Sequence, residues 1–157
     1  MKKITSLLLL VLAACGANSV QQDLITYINV EMDKVAELEA KAVEAYASVS
    51  GENYQNDSIM YAVISETVVP TYEEFYNTLS AIKPATEEVA ALHKEYVRAA
   101  ADQMEAFKLI LEAIEKQDVA IIDQANEDLD EARALLRLWR EDLDSACVKH
   151  NVVFEEN

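Results

Sequence analysis

The sequence predicts an all-α protein, an antiparallel up-down-up-down four-helix bundle. Three observations lead there. Gly and Pro occur only twice each in 157 residues, which leaves few of the tight turns that a many-stranded sheet needs. Hydrophobic residues make up 52% of the chain and recur three and four apart, the spacing that gathers them on one helix face. The periodic stretches also fall into four segments of roughly 25 to 32 residues joined by short links. At about 1.5 Å per residue these are about 40 to 48 Å long, and such matched lengths suit a bundle.

In the first segment the stripe is Leu24, Ile28, Met32, Val35, Leu38, Ala42, Tyr46 and Val49. The stretch "SGENYQNDS" (50–58) then has the Gly, Asn and Asp of a loop, with Asn56 or Asp57 placed to cap the next helix. The second segment carries Ile59, Val63, Thr67, Tyr72, Phe75, Tyr76, Leu79 and Ile82, with Pro70 inside it. Thr71 followed by Glu74 has the pattern of a capping box, so a kink or restart is expected near Val69. A three-helix bundle in which this segment breaks and its halves pack separately is the alternative architecture.

"KPAT" (83–86) reads as a tight connection, with Thr86 capping the third helix. That helix buries Val89, Leu92, Tyr96, Ala100, Gln103, Phe107, Leu111 and Ile114. A short antiparallel connection is expected around Gln117, with Asp118 capping the fourth helix. The fourth segment is the most regular: Ile122, Ala125, Leu129, Ala132, Leu136, Trp139, Leu143, Ala146 and His150 alternate three and four apart. Such a seam packs in bundle fashion and puts Trp139 in its middle.

Ahead of the bundle lies "LLLLVLAACGANS" (7–19), preceded by Lys2 and Lys3. The apolar run is far short of the roughly 20 residues that a spanning helix needs. A positive start, a brief apolar core and small residues at its end make a secretory signal. Leu12-Ala13-Ala14-Cys15 resembles the lipobox of bacterial lipoproteins. The resemblance covers about the first 19 residues and implies cleavage before Cys15, with a diacylglyceryl group on its thiol. The expected organisation is a signal peptide at 1–14, a lipidated Cys15 and short tether at 15–19, and an acidic helical domain at 20–157. Burying acyl methylenes stabilises the anchored state by about 0.8 kcal/mol each, and two or more chains hold a protein durably.

The chain carries 29 acidic against 13 basic residues, a net charge of −16. Losing Lys2 and Lys3 with the signal takes this to −18. Such an excess excludes nucleic acid as a partner, since phosphate binding depends on Lys and Arg. It also disfavours lying flat on anionic lipid. A membrane contact through the lipid on Cys15 is therefore expected, with a basic envelope protein as a further partner. If Cys15 is acylated, Cys147 stands alone and no intramolecular disulfide forms. A lone helical Cys reads as a small buried hydrophobe.

No catalytic constellation emerges. Di-metal bundle sites need Glu-x-x-His pairs, but Ala90 and Cys147 precede His93 and His150 by three. Cys147 and His150 lie one turn apart, yet structural zinc needs four ligands, so His150 reads as a half-exposed imidazole at a helix end. No Gly-rich phosphate loop or nucleophile motif occurs. Glu127, Asp128, Asp130 and Glu131, like Glu141, Asp142 and Asp144, fall between the seam positions and face outward. Neither a metal, a cofactor nor an enzymatic activity is expected. Tyr54, in the long loop, is the candidate contact residue. The expected function is a membrane-tethered binding or scaffold module outside the cytoplasm. The alternative is a carrier or sensor holding a small apolar ligand or a cation between helices, for which a cavity lined by Tyr76, Tyr96 and Phe107 would speak.

Overall fold

A computed structural model describes residues 15–153, and every regular element among them is helical. The segment read as a signal peptide lies outside the described residues. Helix α1 (Cys15–Thr26) runs through a π-turn at Tyr27–Glu31 into α2 (Asp33–Ala47). After a loop with one 3-10 turn, α3 (Asp57–Val63) passes through a second π-turn, Ile64–Val68, into α4 (Val69–Ala81). Helices α5 (Glu87–Lys116) and α6 (Val119–Lys149) complete the fold and pack along each other. Helix α4 packs against both α2 and α5.

The residues read as a short tether are helical. Residues 16–19 are part of α1. Nothing in Gly16-Ala17-Asn18-Ser19 stops a helix except one Gly, so the helical period extends back to Cys15.

The second segment does not restart near Val69, but its helix is distorted directly before that residue by the π-turn. The backbone stays helical across Val68 and Val69, with φ and ψ of −64° and −58°, then −60° and −50°. Pro70 sits in the first turn of α4. In an uninterrupted α-helix its ring would strike the carbonyl four residues back, that of Glu66. The wide turn directly upstream gives that carbonyl room, so the helix neither stops nor restarts. Thr71 is accordingly buried rather than capping. The turn also moves the stripe by one residue. Met60, Ile64 and Val68 are buried, while Ile59 is exposed and Val63 and Thr67 are half-buried. Steps of four back from Tyr72 suit a helix widened by one residue, which a stripe of fixed phase does not allow for.

The core is a string of rings. Tyr46 contacts Phe107 at 5.0 Å, Phe107 meets Tyr72 at 5.2 Å, and Tyr72 meets Phe75 at 4.9 Å. From Phe75 the contacts continue to Tyr96 and on to Trp139, the last two rings stacking at 4.2 Å. The Tyr96 hydroxyl donates to Glu39 at 2.7 Å. The Tyr72 hydroxyl, Ser80 Oγ and Trp139 Nε1 are buried without a hydrogen-bond partner among the described residues. Burial pushes the Tyr27 hydroxyl well up from its ordinary value, with the Trp139 indole pulling the other way. The expected fourth-helix seam is buried or half-buried throughout, and Trp139 is only 8% exposed.

Two ends can be told apart. At one, Asp23 of α1 accepts from Ala85 N (3.1 Å), Thr86 N (2.8 Å) and Thr86 Oγ1 (2.7 Å). Gln21 donates to the Asn151 carbonyl there, and Lys149 and His150 both meet Glu88. The same end therefore holds Cys15, the α4–α5 link and the close of α6. The opposite end holds the 48–56 loop and the turn at Gln117. With 30 residues, α5 separates the two ends by about 45 Å.

Candidate functional site: a pocket at the far end

Local sequence shapes this end. Ser48 Oγ donates to the Ala45 carbonyl and Asn53 Nδ2 to that of Ala47, closing the last turn of α2. Gly51 adopts a φ of +56°, a left-handed conformation that costs Gly little, and it turns the chain back. Asn56 then caps α3, its side chain accepting from Ile59 N at 3.0 Å. Across from this loop Gln117 is left-handed at φ +53° and ends α5. Asp118 caps α6 by accepting from Ala120 N at 2.9 Å.

The two connections enclose a pocket of about 370 Å³. Its apolar wall is Met60, Ala113, Ile114, Val119 and Ile122, flanked by the rings of Tyr46 and Tyr54. Ser50, Gly51, Asp57, Gln117, Asp118 and Asn126 supply the polar side. Tyr54 is 48% exposed and donates to Asp57 Oδ1 at 2.8 Å. Gln117 Nε2 donates to the other Asp57 oxygen at 3.2 Å, tying the loops together. Tyr54 and Gln117 together hold the Asp57 carboxyl below its usual range, whereas its bond to Asp57 pushes the Tyr54 hydroxyl up. Burial pushes the Tyr46 hydroxyl up, with Arg133 and Ser50 pulling the other way.

Among the described residues that line the pocket there is no His, Cys, Lys or Arg. It can bind, through two rings, an apolar wall and two carboxylates. About 370 Å³ falls at the lower end of small-ligand sites.

The remaining candidates lie elsewhere. Tyr96 and Phe107 are packed into the ring string, and Tyr76 is half-buried, so the pocket is beside Tyr46 and not between those three. Cys147 is buried, as expected of a small hydrophobe. The imidazole of His150 is only 10% exposed and meets Glu88 Oε1 at 3.0 Å. It is thus more buried than a half-exposed ring, because α5 packs over the end of α6. Among the described residues no three His, Cys, Asp or Glu are gathered to hold a metal ion. Glu127, Asp130, Glu131, Glu141, Asp142 and Asp144 are exposed and Asp128 half-buried, a solvated face.

Periodicity places Tyr46 in the core and makes Gln117 and Asp118 no more than a connection. The one local signal is that Tyr46 precedes a Gly- and Asn-rich loop. That a second turn, some 60 residues later, closes on the same loop leaves no mark in either stretch. No protein-family model, curated protein or solved structure matches this chain.

Proposed function

We propose that this chain is a lipoprotein of the cell envelope, held on the outer side of a membrane through Cys15 and working as a non-enzymatic binding module. Its body is read as an antiparallel up-down-up-down four-helix bundle. The four helical stretches support that architecture, as does the packing of α5 along α6 and of α4 on α2. The lipobox-like Leu12-Ala13-Ala14-Cys15 motivates the anchor. Among the described residues no helix is long and apolar enough to cross a membrane, so attachment would rest on the lipid.

The observation that supports this function best is the position of the pocket. It opens at the end of the fold away from Cys15, where a tethered module would meet its ligand. The filled ring string in the middle favours a ligand at the tip over one held between the helices.

Replacing one sulfur tests the anchor. Cys15→Ser should leave the chain uncleaved or released into the soluble fraction, while the native chain sediments with membranes and its first residue is a diacylglyceryl cysteine by mass spectrometry. An unmodified Cys15 in the native protein defeats the reading.

A further inference from the structure

The chemistry of the pocket narrows what it takes. Two carboxylates, Asp57 and Asp118, stand on its rim, and no cationic side chain is among the described residues that line it. Asp57 is held in its charged form by donors from Tyr54 and Gln117. Two cations lie near the site, Lys116 paired with Glu112 at 2.6 Å and Arg133 with Asp130 at 2.8 Å, and their charges also reach Asp118 and Tyr46. An anion would meet two carboxylates with no cationic side chain in the lining to offset them. A bare metal ion would find two carboxylates here, and among the described residues no three His, Cys, Asp or Glu gather around a metal ion. Aromatic rings attract cations through the ring quadrupole, and Tyr46 and Tyr54 line the pocket together with the apolar Ile114 and Ile122.

We propose that the pocket takes an organic cation with an apolar body, a substituted or quaternary ammonium, its charge toward Asp57 and Asp118 and its body against Tyr46, Tyr54 and Ile122. The proposal deepens the binding reading and rests on this pocket being the site. The overall charge of −16 draws cations toward the whole surface, but it does not distinguish an aromatic cation from a small one. The pocket does.

The test uses the full chain in a neutral maltoside detergent, labelled with 3-fluorotyrosine, the Tyr46 and Tyr54 signals being assigned by Tyr→Phe variants. Benzyltrimethylammonium, tetramethylammonium, benzyl alcohol and phenylacetate are titrated at constant ionic strength. Benzyltrimethylammonium should shift the Tyr46 and Tyr54 signals saturably, and at least about tenfold more tightly than the other three, a ratio worth about 1.4 kcal/mol. The double variant Asp57→Asn, Asp118→Asn should weaken it about tenfold. Asn keeps an oxygen for Tyr54 and is itself a good helix cap, and the comparison among probes on the unaltered chain needs no variant. Equal affinity for benzyl alcohol, or no change in the double variant, would overturn the cationic preference while leaving the pocket as a site. If none of the probes shifts Tyr46 or Tyr54 saturably, the pocket reading itself fails. The anchor is judged separately, by fractionation of the Cys15 variant.

Discussion

Single residues hold the fold together in ways of very different visibility. Trp139 is legible, since it lies on an unbroken three-four alternation whose phase fixes its direction. Asp23 is not. Its carboxylate accepts three hydrogen bonds from Ala85 and Thr86, more than 60 residues away, and nothing in "QQDLIT" announces a distant partner. Asp23→Ala strands those donors at a part-buried junction. Hydrogen bonds to a charged group contribute roughly 1.5 to 3 kcal/mol, so a loss of about 2 to 3 kcal/mol is expected in urea unfolding. A loss below about 0.5 kcal/mol would mean that the clamp is idle. His93 carries no role in the sequence pattern either, yet it is buried and its Nδ1 pairs with the Tyr27 hydroxyl at 3.2 Å. Burial, helped by Lys83, holds its imidazole below the ordinary 6.5, against the opposing pull of the Leu79 carbonyl and Glu31. On acidification the unfolded chain takes up a proton near pH 6.5 that the folded chain resists. This group's contribution is therefore complete above that pH and is lost as pH falls through the lower folded value. His93→Gln, which keeps an acceptor for Tyr27, should flatten stability against pH over roughly pH 7 to 5. An unchanged slope would show that other groups set it.

At the scale of elements, the two π-turns decide which residues face inward. Each adds a residue to a helix, and π-turns of this kind are short and often tied to local demands. Around the first, Tyr27 is fully buried although the regular stripe runs through Leu24 and Ile28. Around the second, Pro70 supplies a steric reason for the widening. Periodicity reads a helix at a fixed 3.6 residues per turn, so it recovers α6 and most of α5 and slips by one across Ile64–Val68. In α5, Ile110 and Ala113 are buried where Leu111 and Ile114 are expected. The caps at Asn56, Thr86 and Asp118 are legible because capping is local chemistry. Truncation measures the register directly. Ile64→Ala removes a fully buried side chain and should cost about 2 to 5 kcal/mol, while Ile59→Ala, 38% exposed, should cost under about 1 kcal/mol. The reverse order in chemical denaturation would restore the unshifted stripe.

Over the whole molecule, charge and length act together. The all-helical class follows from composition and period alone, but the pocket depends on two loops meeting at one end. Those loops lie on different hairpins and share no pattern. A net charge of −16 weakens the compact state by self-repulsion, which salt screens within a Debye length of about 8 to 10 Å near physiological ionic strength. The melting temperature should accordingly rise with NaCl, and Ca²⁺ should add nothing beyond its ionic strength if Glu127, Asp128, Asp130 and Glu131 are only a solvated face. Specific stabilisation by micromolar Ca²⁺ would instead indicate binding linkage. The same charge repels an anionic leaflet. A body anchored at Cys15 should then stand away from the bilayer, with the pocket outermost.

Paramagnetic relaxation tests that arrangement most directly. The processed chain is placed in nanodiscs with a gadolinium-chelating lipid, and backbone amide relaxation is followed along α6. Enhancement is expected to be strong near Lys149, at the Cys15 end, and to fall to background near Val119, some 45 Å away by helix rise. Uniform enhancement along α6, or none at either end, would contradict a module tethered at one end with its binding pocket at the other.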